Sequence, residues 1–439
     1  MKVRILFLFF SLTCFAVVNA QTTVKCAFST MPGDVTIAKM MPKTGTFKML
    51  VVYCKFKDDT FESNLTKQWP CSLSTLPAWT SKTISATKMD DYPDPSISGY
   101  FKEMSGGMND NDGDGLPDGK LDVIGNVCPI LYNTLNNSSF YTTAQGRNVS
   151  YLTKEVLDGI DPYVNFADYD SDKDGYVDMI AICFRVGTAA TGSMDPIGGN
   201  GGDYQGIASL TGGYDQFEDP SGPTELIKDG VKIKAGAFGS GTFQVGTLDP
   251  DGQLSIICHE MGHYLDLKHT PGVHRHGLMD TNWGGSVMNG YERNLLGWIR
   301  PVTISSDATV ENGNPITLKD ALGNNAIYKI LKSDGCYYYI ENHEGKSFYE
   351  SSWKSNATES NLEELIMPGK GVLVLESSID PFWLREVLDV KVADGLWNWK
   401  TSGSLYVYPF EIESPNPYSG QSELDLYQVK ITTGEKKII

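Results

Sequence analysis

The 439-residue sequence predicts an α/β (α+β) domain, a twisted mixed sheet with a histidine-bearing helix packed on it, followed by a β-rich domain. Three observations carry that expectation. Residues 49–54 and 176–184 are apolar runs rich in β-branched side chains, which read as strands buried on both faces. Between about Asp249 and His263 the chain takes up a helical pattern, opened by Asp and Pro. After Trp298 the pattern changes again, to short strands separated by turns.

Taken in order, the first element is a leader. Lys2 and Arg4 precede an apolar run to Val18, and Val18-Asn19-Ala20 is a small-residue cleavage site. Residues 1–20 therefore read as a signal peptide, and the mature chain, starting at Gln21, is expected outside the cell. Ser11-Leu12-Thr13 before Cys14 is a poor lipoprotein signal, and no later apolar run is long enough to span a membrane. Loss of Lys2 and Arg4 takes the formal charge from −18 to −20, which argues against nucleic acid or an anionic membrane as partner. Residues 21–45, broken by Pro32-Gly33 and Pro42, read as an N-terminal extension or short pro-segment.

Residues 46–300 form the expected first domain. Within it, residues 97–104 read as a helix, 120–124 as a strand, 187–213 as Gly-rich loops and 290–296 as a second helix. Residues 301–439 form the β-rich domain, with strands expected at 302–304, 326–330, 337–340, 371–375 and 426–431. Seven cysteines remain after the leader, an odd number. Cys54, Cys183 and Cys258 sit in apolar segments that suit buried thiols, whereas Cys71 and Cys128 are candidates for a disulfide, and Cys26 and Cys336 are left unassigned.

The chemistry is concentrated in the histidines, five of the six falling within residues 259–276. His259 and His263 stand four apart around Glu260, an H-E-x-x-H pattern that stacks two imidazoles on one helix face beside a carboxylate. His269 follows six residues later, the third position of the metzincin pattern H-E-x-x-H-x-x-G-x-x-H. The match is complete except at the glycine, which is Asp266. Three imidazoles at this spacing suit a Zn²⁺ that keeps one position open, with Glu260 as the proton-transferring group. Asp266 is a rival third ligand, being i+7 from His259 if the helix continues. Glu292, 29 residues beyond His263, is a further rival as a distant glutamate ligand. His274 and His276 read as solvated loop residues. A methionine turn beneath the metal is expected at Met279, with Met288 as its competitor.

Two Asp-rich loops share one spacing, with carboxylates at positions 1, 3, 5 and 9 and glycine at 6. They are Asp110, Asp112, Asp114 and Asp118, and Asp170, Asp172, Asp174 and Asp178. Position 7, Leu116 or Tyr176, would add a backbone carbonyl, so each loop is a candidate structural Ca²⁺ site. Neither has a glutamate at position 12, where Leu121 and Ala181 stand, so these are half sites; the bland alternative is a solvated acidic turn.

Residues 168–178 resemble the D-x-D-G-D-G-x-V-D segment of the immune inhibitor A family of secreted bacterial metallopeptidases. Residues 100–106, 120–123, 277–279, 295–302, 338–342 and 368–373 are similar to other parts of that family. The resemblance covers roughly residues 46–390. It implies a zincin/metzincin-like catalytic domain, a methionine turn at Met279 and a C-terminal β region. That family usually has Gly at the position of Asp266 and Asp at the position of His269, and the Asp-rich insertion at 109–119 is extra. The function expected is a secreted zinc metalloendopeptidase acting on polypeptide or glycoprotein substrates, with Tyr291 a candidate oxyanion donor. Two alternatives stand beside it: a non-catalytic calcium-dependent binding or adhesion protein on the same scaffold, and a narrow glycoprotein- or mucin-directed peptidase.

Overall fold

From its middle onward, strand β1 (Gly45–Lys55) has no face for water. From Met49 to Cys54 every side chain is almost fully buried, which is what a run of six apolar residues requires. The computed structural model that shows this describes residues 41–60, 70–87, 96–107, 119–141, 149–185, 208–210, 222–234, 242–246, 250–270, 276–279, 287–304, 318–351, 371–380, 385–390, 397–402 and 405–411. The leader, residues 21–40, the first Asp-rich loop from Asp110 to Asp118, His274 and the strand expected at 426–431 lie outside the described residues.

Parallel neighbours flank β1. They are β2 (Leu121–Val127) on one side and β4 (Met179–Phe184) on the other, with the short β3 (Tyr132–Asn133) pairing with the end of β1. Beyond β4 come β8 (Thr242–Gly246), parallel to it, and β5 (Ala208–Leu210), antiparallel to β8, giving the order β2-β1-β4-β8-β5. Among the described strands β5 is therefore an edge. Strands β6 (Glu225–Lys228) and β7 (Val231–Lys234) form a separate hairpin.

Alternation along the central strands divides the core in two. Met49, Val51 and Tyr53 join Met179, Ala181 and Cys183 on the face covered by α1 (Ile97–Gly106) and α3 (Pro250–Tyr264). Leu50, Val52 and Cys54 join Ile180, Ile182 and Phe184 on the opposite face, under α2 (Val149–Ile160). Helix α1 starts where Ser96 caps it, the hydroxyl accepting from Gly99 N–H at 2.9 Å. Cys54, Cys71, Cys128, Cys183, Cys258 and Cys336 are all free thiols, so the Cys71–Cys128 bridge left open by the sequence is not made.

Helix α4 (Gly290–Leu295) leads into the second sheet, ordered β13-β12-β11-β10-β9. These strands are β9 (Val302–Ile304), β10 (Tyr328–Leu331), β11 (Tyr337–His343), β12 (Gly371–Asp380) and β13 (Arg385–Val390). They pair antiparallel except β9, which runs parallel to β10. Strands β14 (Trp397–Ser402) and β15 (Leu405–Glu411) pair with each other. The two sheets share a seam. Tyr349, on the short α5 (Phe348–Ser351), stands edge-on to Tyr100 and donates its hydroxyl to Ser96 O at 3.0 Å. Buried Arg293 on α4 donates to Met104 O (2.9 Å) on one side and Ala321 O (3.1 Å) on the other. Among the described residues no helix is long and apolar enough to cross a membrane.

Candidate metal centre

Helix α3 carries His259, Glu260 and His263, all buried. The chain reverses immediately afterwards. Leu267 N–H donates to Gly262 O (3.0 Å) and Asp266 N–H to His263 O (2.9 Å), the paired bonds of a Schellman ending. That ending needs one left-handed residue, and Asp266 supplies it with φ 69°. Asp adopts this region more readily than most side chains, so the missing glycine is tolerated. The reversal returns His269 to the helix face and leaves Asp266 exposed. Asp266 is thus not part of the cluster.

One donor atom each from His259, His263 and His269 lies within 4.8 Å of the others. The Nε2 atoms of His259 and His269 are 3.2 Å apart. Ligands at about 2.0–2.1 Å from a tetrahedral Zn²⁺ stand about 3.3 Å from each other, so the spacing fits a shared ion. The far side of two rings is already committed. His259 Nδ1 donates to Leu278 O (2.6 Å) and His263 Nδ1 to Leu267 O (3.0 Å). A carbonyl only accepts, so Nδ1 holds the hydrogen and Nε2 keeps its lone pair for a metal. Burial pushes the His259 pKa down to about 4 and that of His263 well below its ordinary value, the latter helped by the two neighbouring rings. Two imidazoles with Nε2 free for a metal, and the His269 ring converging on them, are a donor set that suits Zn²⁺ and leaves a fourth position.

Met279 lies beneath this face. A Cβ at Gly262, between the two helix histidines, would collide with Met279 Sδ, so the glycine is what lets the loop approach. Thr270 N–H donates to Met279 O (2.9 Å), tying the residue after His269 to the same loop. Met288 is buried in the same core but faces α1, its N–H pointing at Met104 Sδ at 3.4 Å.

Other sequence candidates have different roles. Glu292 takes N–H bonds from Leu278 (2.9 Å), Met279 (2.8 Å) and Asn289 (3.0 Å), and belongs to the capping box of α4. Burial raises its pKa to about 8, and these three backbone bonds pull the other way. It holds the loop and does not join the histidines. His276 is buried, and its carbonyl accepts from Asn289 Nδ2 (2.9 Å), so it is not a solvated loop residue. Tyr291 packs edge-on to Tyr339 in the core of the second sheet, away from the oxyanion role. Sequence reasoning missed the part played by Gly262 and Leu278. The Asn289-x-x-Glu292 spacing was the available sign that Glu292 caps a helix.

In the second Asp-rich loop, Asp170, Asp172 and Asp174 bring carboxylate oxygens within 4.8 Å of one another. Lys173 (φ 60°) and Gly175 (φ 88°) make the turn. Asp178 stands apart: its buried carboxylate accepts from the N–H and hydroxyl of Ser171. Tyr176 directs its hydroxyl to Glu225 at 2.9 Å. The β6–β7 hairpin, turned at Asp229 and Gly230 with positive φ, is stitched to the loop by Lys232 N–H to Gly175 O (2.8 Å) and Val177 N–H to Lys232 O (3.0 Å).

Comparison with protein-family models and with curated proteins gives no match, so function has to be argued from these side chains and their geometry.

Proposed function

We propose that this chain is a secreted zinc-dependent metalloendopeptidase. The observation that carries this reading is the convergence of three buried imidazoles, two with Nδ1 fixed on carbonyls, beside a buried carboxylate one residue along the same helix. Incidental histidines on a helix face would have neither the third partner nor the oriented tautomers. His259, His263 and His269 would hold the ion. An ion held there would supply a water of lowered pKa and polarisation of the scissile carbonyl. Glu260 takes the proton of the attacking water and delivers it to the leaving amine.

Substrate alignment follows from the sheet. Among the described strands β5 is the edge beside α3, and an extended polypeptide adding to it as a further strand would lie along the histidine helix. Asp170, Asp172 and Asp174 would hold a structural Ca²⁺ immediately before β4. The leader-like first twenty residues supply the export signal.

Glu260→Ala should keep one zinc per chain and lose hydrolysis by at least about 10²–10⁴-fold, the range general acid–base groups contribute. Casein or fluorogenic-peptide hydrolysis, with and without a zinc chelator, measures it alongside metal analysis. Full activity in that variant, or activity indifferent to chelation, sinks the mechanism. An anomalous signal at the zinc edge, or its absence, tests the metal directly.

A further inference from the structure

We propose that Glu292 is a positioning residue for the metal centre, setting the orientation and donor strength of His259 through a single peptide group. This rests on the metal reading above and adds a fourth side chain to it.

The peptide between Leu278 and Met279 is hydrogen-bonded at both ends. Its carbonyl accepts Nδ1–H of His259 at 2.6 Å, and its N–H donates to Glu292 Oε1 at 2.8 Å. Glu292 Oε2 takes the preceding N–H, of Leu278, at 2.9 Å, so the carboxylate grips the loop at two successive amides. His259, Leu278, Met279 and Glu292 are all buried. In such surroundings a hydrogen bond at one end of an amide polarises the other. An acceptor on Met279 N–H makes Leu278 O a better acceptor, which draws on Nδ1–H of His259 and leaves more electron density at Nε2.

Glu292 is itself fixed. The Asn289 side chain accepts from Glu292 N–H at 2.9 Å, whereas the hydrogen bond of Glu341 Oε1 is with Gly290 N–H, at 2.7 Å, outside the loop. Gly277 lets the loop close round the carboxylate, since a Cβ there would lie 2.8 Å from Glu292 Oε1. The grip therefore cannot slide without pulling Leu278 O off His259. The direct ligand suggested by sequence spacing becomes a group acting two hydrogen bonds away.

The test is a metal titration of the full chain, stripped and reloaded with Co²⁺ or Zn²⁺, comparing wild type with Glu292→Gln, Glu292→Asp and Glu341→Gln. Glu341→Gln is the control, because it loosens the start of α4 without touching the loop. The expected result is one tetrahedral cobalt site in wild type. Both Glu292 variants should bind metal about 10–100-fold more weakly with shifted cobalt bands, the range for loss of a group behind a metal ligand. Glu341→Gln should keep wild-type bands even where its metal-free unfolding temperature falls as far. Wild-type affinity and spectrum in the Glu292 variants overturn the proposal, as does an equal effect of Glu341→Gln. Should the Glu292 variants not fold, the Met279 amide proton of ¹⁵N-labelled wild type is read instead. It should shift downfield as zinc binds, and an unmoved signal overturns the proposal. A wild-type chain that takes up no metal removes the reading beneath it, a result distinct from all of these.

Discussion

Asp266 sits at φ 69° with its side chain in solvent, three residues before the third imidazole. Its contribution is its backbone. Asp266→Gly should therefore keep metal uptake and raise stability by up to about 1 kcal/mol, because glycine takes this conformation without strain. Asp266→Val should lose about 1–2 kcal/mol, the cost of the left-handed region for a β-carbon, and more for a branched one. Denaturant unfolding and metal stoichiometry measure both. Loss of the metal in the glycine variant would put the carboxylate back among the ligands. The pairing of His259 and His263 was legible because helical periodicity dictates which side chains share a face, and His269 because it stands at the third position of the metzincin spacing. The choice between His269 and Asp266 was not, since it depends on one dihedral angle at the helix end. Glu292 stood as a rival ligand for a related reason: distance along the chain cannot tell a carboxylate that faces a metal from one that faces three backbone amides.

Among elements, the second Asp-rich loop shows where local pattern stops. Its D-x-D-x-D-G signature was readable, and Asp170, Asp172 and Asp174 do converge. The hairpin that braces it comes some fifty residues later, and nothing in the loop announces it. Nor could spacing reveal that Asp178 is engaged by Ser171. Calcium at about a hundredfold over its Kd would add about 2.7 kcal/mol to the folded state. Thermal unfolding should thus shift upward on adding Ca²⁺ to chelator-treated protein, and Asp172→Asn should blunt the shift. An unfolding temperature indifferent to Ca²⁺ in wild type would return the loop to a solvated acidic turn.

Across the whole molecule, the seam between the sheets carries a buried charge. His343 lies between Glu350 (Nδ1 to Oε1, 2.5 Å) and Glu341 (Nε2 to Oε2, 3.3 Å). Burial pulls its pKa down, but the two carboxylates outweigh that and hold it at about 10. The folded state therefore keeps a proton that the unfolded chain, near 6.5, gives up. The resulting stabilisation is complete below about pH 6.5 and is lost as pH rises through about 10. The stability gap between wild type and His343→Gln should accordingly narrow from pH 6 to pH 10 in denaturant titrations. A gap that is constant or widens would contradict the paired, protonated imidazole. Strands β9 to β12 of the second sheet were legible as β-rich sequence, whereas β13 was not among the expected strands. Their packing against α1 and α4 was not, because Tyr349, Arg293 and Glu341 find partners far away in the chain.

Tyr349 has one more consequence, and it concerns time. Its ring and the Leu322 side chain belong to the core shared by β1, α1 and α3, although both lie beyond the histidine helix in sequence. A ribosome releases His259 about ninety residues before Tyr349. For that interval the face that carries the imidazoles has an unfilled core beneath it. The candidate centre therefore gains its complete core only once the chain through Tyr349 is available to fold onto it.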